Sequence, residues 1–383
     1  VSERTGDRVL TAARTLAFPR RAGSEGSRRV IALLSARLEE LGFEVTVEDF
    51  SFDLEPVERT LRHCLMVGAC LIIAAGLLVG RGPIWSLILS VAVFAGACCL
   101  LGWSPWLEGL YRRPGPTRTA NIVGRRGPGE PRRRLILMAH HDSKSQSLAL
   151  PARMAATIGA GLGVPALMVL SVVELSTPSA EWAWFGSVVG ALSGMALVGL
   201  AAMTSGNASP GGVDNAGSLA IVLELASRLG ASSTDLELVV LFTGAEEDHM
   251  VGAMRFLDAH CDELLRCPTT CLNFDGAGSP GRTVLITRFG RGRRFAPGLE
   301  KTAVEIAHGL DLPIRRILMA PAVGIDAIPF ANRGIECLSL SSGSLGRATY
   351  SVHSAGDSAD NLDPATLERV TDYAEALIRK LTD

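Results

Sequence analysis

The segment Leu135-Ile136-Leu137-Met138-Ala139-His140-His141-Asp142-Ser143 decides the fold. Five apolar residues in a row read as a strand buried on both faces, the habit of central parallel strands. Two imidazoles and a carboxylate follow at once. In an open α/β sheet, the carboxyl ends of the strands are where ligands bind. The same arrangement recurs twice. The strand expected over Leu236 to Phe242 runs into Thr243-Gly244-Ala245-Glu246-Glu247-Asp248, and the one over Thr270 to Phe274 into Asp275-Gly276. Two loop-like clusters complete the set: Pro210-Gly211-Gly212-Val213-Asp214-Asn215, and Ser351-Val352-His353-Ser354-Ala355-Gly356-Asp357.

Around these segments, helical and strand periods alternate. Helices are expected over Glu3–Leu16, Ser24–Leu41, Gly217–Leu229, Met250–Cys261, Gly298–Gly309 and Pro364–Leu381. Further strands are expected over Phe43–Phe52, Ala120–Val123, Val284–Thr287 and Glu336–Leu340. That alternation predicts an α/β fold, a three-layer sandwich about a mostly parallel mixed sheet.

Hydrophobic residues make up 48% of the 383 positions, with a mean hydropathy of +0.28. Four stretches carry no charge: Cys64–Gly80, Gly82–Leu107, Met154–Val173 and Trp182–Val213. Each is close to the roughly 20 apolar residues that span a bilayer. All five tryptophans (Trp85, Trp103, Trp106, Trp182 and Trp184) lie in or beside them, as interfacial anchors do. The stretches predict four transmembrane helices in two hairpins, over 61–107 and 151–204. Each hairpin returns the chain to the side it left, so residues 1–60, 108–150 and 205–383 can form one soluble domain. The formal net charge of −2 excludes a dedicated nucleic-acid surface. No CxxC pair occurs among the eight cysteines, which read as reduced thiols. The polar start lacks the apolar run of a cleavable signal.

Oxygen and imidazole donors without thiolates are the mixture of a catalytic zinc site rather than a structural one. In this respect, and in motif order, the chain resembles the clan MH co-catalytic zinc exopeptidases, the group of bacterial aminopeptidases and glutaminyl cyclases. The resemblance runs from Gly23-Ser24-Glu25-Gly26 to Asp360-Asn361-Leu362-Asp363-Pro364. It implies His140, Asp214, Glu247, Asp275 and His353 as ligands of two Zn²⁺ ions, with Asp214 bridging. It implies Glu246 as the general base and Asp142 as the residue that steadies His140. Three ligand carboxylates and one hydroxide would balance the four positive charges. His141 reads as a buried histidine turned away from His140. Asp326 stands in a motif whose following histidine is Ala327 here, which leaves its part open.

The resemblance implies a membrane-embedded zinc exopeptidase acting on peptides, most simply an aminopeptidase. Two alternatives stay open. His140-His141-Asp142-Ser143-Lys144 is similar to the cyclases' H-Y-D-S-K, and some relatives with this fold are inactive membrane scaffolds. Arg59, Arg62, Arg112, Arg113, Arg118, Lys144 and Arg153 flank the domain side of the hairpins, against Arg81 on the other side. That bias predicts a cytoplasmic catalytic domain.

Overall fold

The computed structural model describes residues 4–101, 113–229, 235–290, 292–319, 323–344 and 346–382. Trp103, Trp106, Arg112 and the end of the second apolar stretch lie outside them. The chain divides into two compact units, Val1–Asp53 with Arg112–Ser145 and Gly206–Asp383, and Leu54–Tyr111 with Gln146–Ser205.

The first unit is built on a mixed sheet. Its longer strands are β1 (Glu44–Phe52), β2 (Thr117–Arg126), β3 (Arg133–His140), β4 (Leu236–Thr243), β5 (Thr269–Phe274), β6 (Arg282–Phe289), β7 (Ile314–Leu318) and β8 (Glu336–Gly343). They lie in the order β1-β2-β4-β3-β5-β8-β6-β7. The four central strands β4, β3, β5 and β8 run parallel. The pairs β1–β2, β2–β4 and β8–β6 are antiparallel.

Alternation along β2 shows the layers. Asn121 donates to Gly252 O and Arg125 pairs with Glu263, both on the helix side of Val251–Leu264. Gly124 and Arg126 face the other way, toward Leu38 of helix Glu25–Glu40 and Ala226 of helix Gly217–Arg228. Helices thus cover both faces, and Leu135 to Ala139 are at most 2% exposed. That is why β3 reads as an unbroken apolar run and not as an alternating one. Parallel pairing brings the carboxyl ends of the central strands to one edge, with His140 beside Thr243 and Phe274 beside Leu340.

The second unit is helical: Glu55–Leu78, Pro83–Leu101, Leu150–Ser176 and Ala180–Ala201. Three of these are long and apolar enough to cross a membrane, a correction to the four expected. In the remaining one, Pro83–Cys99 forms an apolar helix shorter than the other three. Pro83 starts it, and the rest of its charge-free stretch falls outside the described residues. Helix Ala180–Ala201 packs on helix Glu55–Leu78 through small residues. A Cβ on Gly190 would lie 2.8 Å from Gly76 Cα, and one on Gly76 2.5 Å from Gly186 O. Such close approach is how helices associate where no hydrophobic effect drives them together. The outer surface is apolar: Trp85 is 64% exposed and Leu162 65%.

Candidate metal centre

The residues at the strand ends converge. His140 closes β3, Glu246 and Glu247 follow β4, and Asp275 follows β5. Asp214 lies in a one-turn segment before helix Gly217–Arg228, and His353 in the loop after the short helix Arg347–Ser351. His140, Asp214 and Asp275 form one trio able to hold a metal ion, and Asp214, Glu247 and His353 form a second. Asp214 belongs to both. Its Oδ1 is 3.0 Å from His140 Nε2, and its Oδ2 is 3.1 Å from His353 Nε2. Asp275 Oδ1 stands 3.8 Å from His140 Nε2, and Glu247 Oε2 2.9 Å from His353 Nε2. Glu246 is in neither trio, its Oε2 4.0 Å from His140 Nε2.

Each group is held by its backbone. His353 is among the few non-glycine residues with a left-handed φ, 61°. Ala245, His249 and Met250, which bracket the two glutamates, share that conformation. Such strain persists only where the surroundings enforce it. Asp357 accepts the N–H groups of Val213 at 2.8 Å and Asp214 at 3.3 Å. Asn215 donates to Phe274 O at 3.0 Å and accepts from Gly276 N at 3.1 Å, tying the Asp214 loop to the Asp275 loop.

Asp142 stands beside His140 and has further partners. Its Oδ1 is 3.6 Å from His140 Nδ1, which also lies 3.2 Å from the Asp142 carbonyl oxygen. The carboxylate receives the N–H groups of Glu246 and Glu247, at 3.1 and 3.2 Å. In the neutral tautomer with Nδ1–H donating to that carbonyl, the Nε2 lone pair of His140 faces Asp214 and Asp275. His141 turns away, its Nε2 2.8 Å from Ala120 O.

The electrostatics call for positive charge. Burial works against a charge on His140, yet Glu246, Asp142, Asp214 and Asp275 hold its imidazole well above the ordinary range. Burial likewise opposes a charge on His353, but Glu247 and Asp214 raise it to about 9. Burial would lift the Asp214 carboxyl; the two histidines overcome it and keep that group below the usual carboxylate range. Glu246 is pushed well up by burial, and Asp275, Asp326 and Glu247 raise it further against His140. Asp214 Oδ1 and Glu247 Oε1 are buried without a hydrogen-bond partner. Orphaned carboxylate oxygens beside imidazoles, with no thiolate near, fit hard or borderline divalent ions such as zinc.

Arg20, which stood in no motif, also belongs here, together with Lys144, Thr243 and Asp326. Arg20, fully buried, donates to the carbonyl oxygens of His141 at 2.7 Å and Gly211 at 2.9 Å, and also to that of Pro210. Burial lowers its pKa to about 10 against Asp357, Asp142, Asp214 and Glu247, so it keeps its charge at neutral pH. The Lys144 amine donates to Glu247 O and lies 3.6 Å from Glu247 Oε2. Thr243 hydrogen-bonds Asp326, whose carboxyl burial raises to about 7. For Arg20, the available signal was the Gly23-Ser24-Glu25-Gly26 motif just after it. Ser24 caps helix Glu25–Glu40 by accepting from Ser27 N, and Gly26 permits the close approach of Pro19 and Arg20.

Comparisons with known proteins bear on the fold and on family resemblance. The profile of the family described as Peptidase family M28 matches residues 195–378. A vacuolar membrane protease of Schizosaccharomyces japonicus is 30% identical over an alignment of 138 residues that covers 33% of this chain and 16% of that relative's length. Among solved structures, a zinc aminopeptidase from Bacillus subtilis is similar, with TM-score 0.60 and 13% identity. The match covers all of this chain and 96% of that one. Fimbriiglobus ruber glutaminyl cyclase gives TM-score 0.57 and 15% identity over 99% of this chain and 96% of its own. At these identities the likeness is one of fold: the mixed α/β architecture of this chain is that of zinc aminopeptidases and glutaminyl cyclases.

Proposed function

We propose that the chain is a membrane-anchored zinc metallopeptidase that removes N-terminal residues from peptides. The observation that carries this is Asp214, whose two oxygens face two separate ligand trios. His140, Asp214 and Asp275 would hold one zinc, and Asp214, Glu247 and His353 the other. Bound there, zinc would polarise a peptide carbonyl and make water more acidic. Glu246, outside both trios, is the general base. Its carboxylate takes the proton of the attacking water and passes it to the departing amine. Asp142 aims both glutamates through their main chain, and Lys144 fixes the Glu247 loop.

The proposed peptidase domain is made of about residues 1–60, 108–150 and 205–383, and the long apolar helices Glu55–Leu78, Leu150–Ser176 and Ala180–Ala201 would face lipid. Outward apolar side chains such as Trp85 and Leu162 support the bilayer as a partner. The arginine bias favours a cytoplasmic domain. In a background without native cysteines, an impermeant maleimide on intact cells should label a cysteine at Thr177 and miss one at Glu130. The reverse pattern would put the domain outside.

The test of function is a substrate panel on the purified, zinc-loaded chain in detergent: amino-acid amides, short peptides and N-terminal glutaminyl peptides. Hydrolysis of amides and peptides with two zincs per chain is expected. Glu246→Gln should lose about 10²–10⁴-fold in kcat with zinc retained. Full activity in that variant would remove the base from the scheme. Lys144 beside Glu247, in a segment similar to the cyclases', favours the second reading. One zinc per chain with ammonia release from glutaminyl peptides would establish it.

A further inference from the structure

We infer that Arg20 is a positioning residue of this metal centre, tying the loop of His140 to the loop of Asp214 so that their spacing exists before a metal arrives. The inference rests on the metallopeptidase reading and adds to it a residue outside the ligand set.

A fully buried guanidinium is costly unless it is paired. Arg20 makes no ion pair among the described residues. It spends its donors on main-chain oxygens, Nε on His141 O at 2.7 Å and Nη2 on Gly211 O at 2.9 Å. Nη1 serves Pro210 O and, at 3.2 Å, Phe18 O. Two of these acceptors, Pro210 and Gly211, lie just before Asp214, and a third directly follows His140. A second tie runs in parallel: Ser143 Oγ accepts Arg20 N at 3.2 Å and donates to Ser209 O at 3.0 Å. The packing leaves no slack. A Cβ on Gly211, where φ is +60°, would come within 2.9 Å of Arg20 Nη1 and 2.6 Å of Ser143 Cβ.

The planar fork explains the choice of arginine. Its donors diverge from one rigid plane, so a single side chain reaches both loops. A lysine would carry the same charge to one of them. The carboxylates of Asp142, Asp214, Glu247 and Asp357 surround the guanidinium and compensate its burial without touching it. Asp214 and Glu247, which belong to the trios, are thereby left to the metal.

The experiment compares Arg20→Lys, which keeps charge without the fork, and Arg20→Gln, which loses both, with the unmodified full chain. In chelator-stripped protein, amide hydrogen exchange should accelerate in residues 139–144 and 209–215 and stay unchanged in β1 and β2. Zinc affinity, read by competition with a chromophoric chelator, should weaken about 10–100-fold in both variants, as for groups that orient ligands. Unchanged exchange in those two segments would overturn the inference. So would exchange accelerated evenly through the unit with zinc affinity intact, or failure of both variants to fold, since each assigns Arg20 to general support. Lack of zinc uptake by the unmodified chain would sink the metallopeptidase reading instead. The exchange comparison would still decide whether Arg20 joins the loops.

Discussion

Asp142 holds Glu246 by its main chain. Oδ1 of Asp142 accepts the Glu246 N–H at 3.1 Å, while Oδ2 takes that of Glu247 at 3.2 Å. One carboxylate at the end of β3 therefore sets where the proposed base and a proposed ligand leave β4. The two side chains then diverge, Glu247 toward His353 and Glu246 toward His140.

Asp142→Asn tests that arrangement. The amide keeps one acceptor and turns an NH₂ group toward the other N–H, so one buried donor loses its partner. Stability should fall by about 1–3 kcal/mol, and kcat and zinc affinity by about 10–100-fold each. The variant's denaturation midpoint, turnover and zinc competition check this. If zinc binding and turnover both held at normal levels, the glutamates would not depend on Asp142.

Asp214→Ala removes the residue that faces both trios. Zinc content by elemental analysis should drop at both positions, and activity should vanish with it. Retention of one full equivalent would show that Asp214 serves a single ion. Asp275→Ala is the contrast, because Asp275 belongs to one trio and should cost one zinc only.

Away from the metal centre, His260 bridges Glu48 of β1 at 2.6 Å and Glu263 at 3.3 Å. The bond to Glu48, against partial burial, raises its pKa above 6.5. A raised histidine adds stability that is fully present below the unfolded value of about 6.5 and is lost as pH climbs through the folded value. His260→Gln should therefore lower stability at pH 6 by about 1 kcal/mol or less, read as a lower melting temperature, and change it little at pH 9. An equal loss at both pH values would mean packing, not charge, is what His260 supplies.

Legibility in the sequence followed burial. β3, β4 and β5 are enclosed on both faces, so their apolar runs marked them to within about a residue or two, and the chemistry-bearing residues followed directly from where they stop. The edge strand β7 had no such mark. Arg315 and Arg316 are exposed in its middle and leave too few apolar positions to read. The six-residue helix Ala327–Asn332 contains Pro329 and is shorter than any periodic signal. Arg20 had only the adjacent Gly23-Ser24-Glu25-Gly26 motif to mark it, for another reason. Its partners are carbonyl oxygens of distant loops, and main-chain acceptors leave no trace in residue types. The same holds for the two main-chain N–H groups that the Asp142 carboxylate accepts beside His140.

The glycine contact between helices Glu55–Leu78 and Ala180–Ala201 has a bearing on how the chain is made. Gly76 meets Gly186 and Gly190, yet β2 and β3 lie between the two helices in the chain. As synthesis proceeds, the earlier helix emerges with its glycine-lined side open, and its partner is translated only after β2 and β3. Assembly of the helical unit must wait for that late arrival. A chain ended after Ser176 should thus be cleared rapidly in cells, and Gly190→Leu in the whole chain should shorten its lifetime in the same direction. Pulse–chase lifetimes equal to the parent chain's would show that the early helices need no late partner.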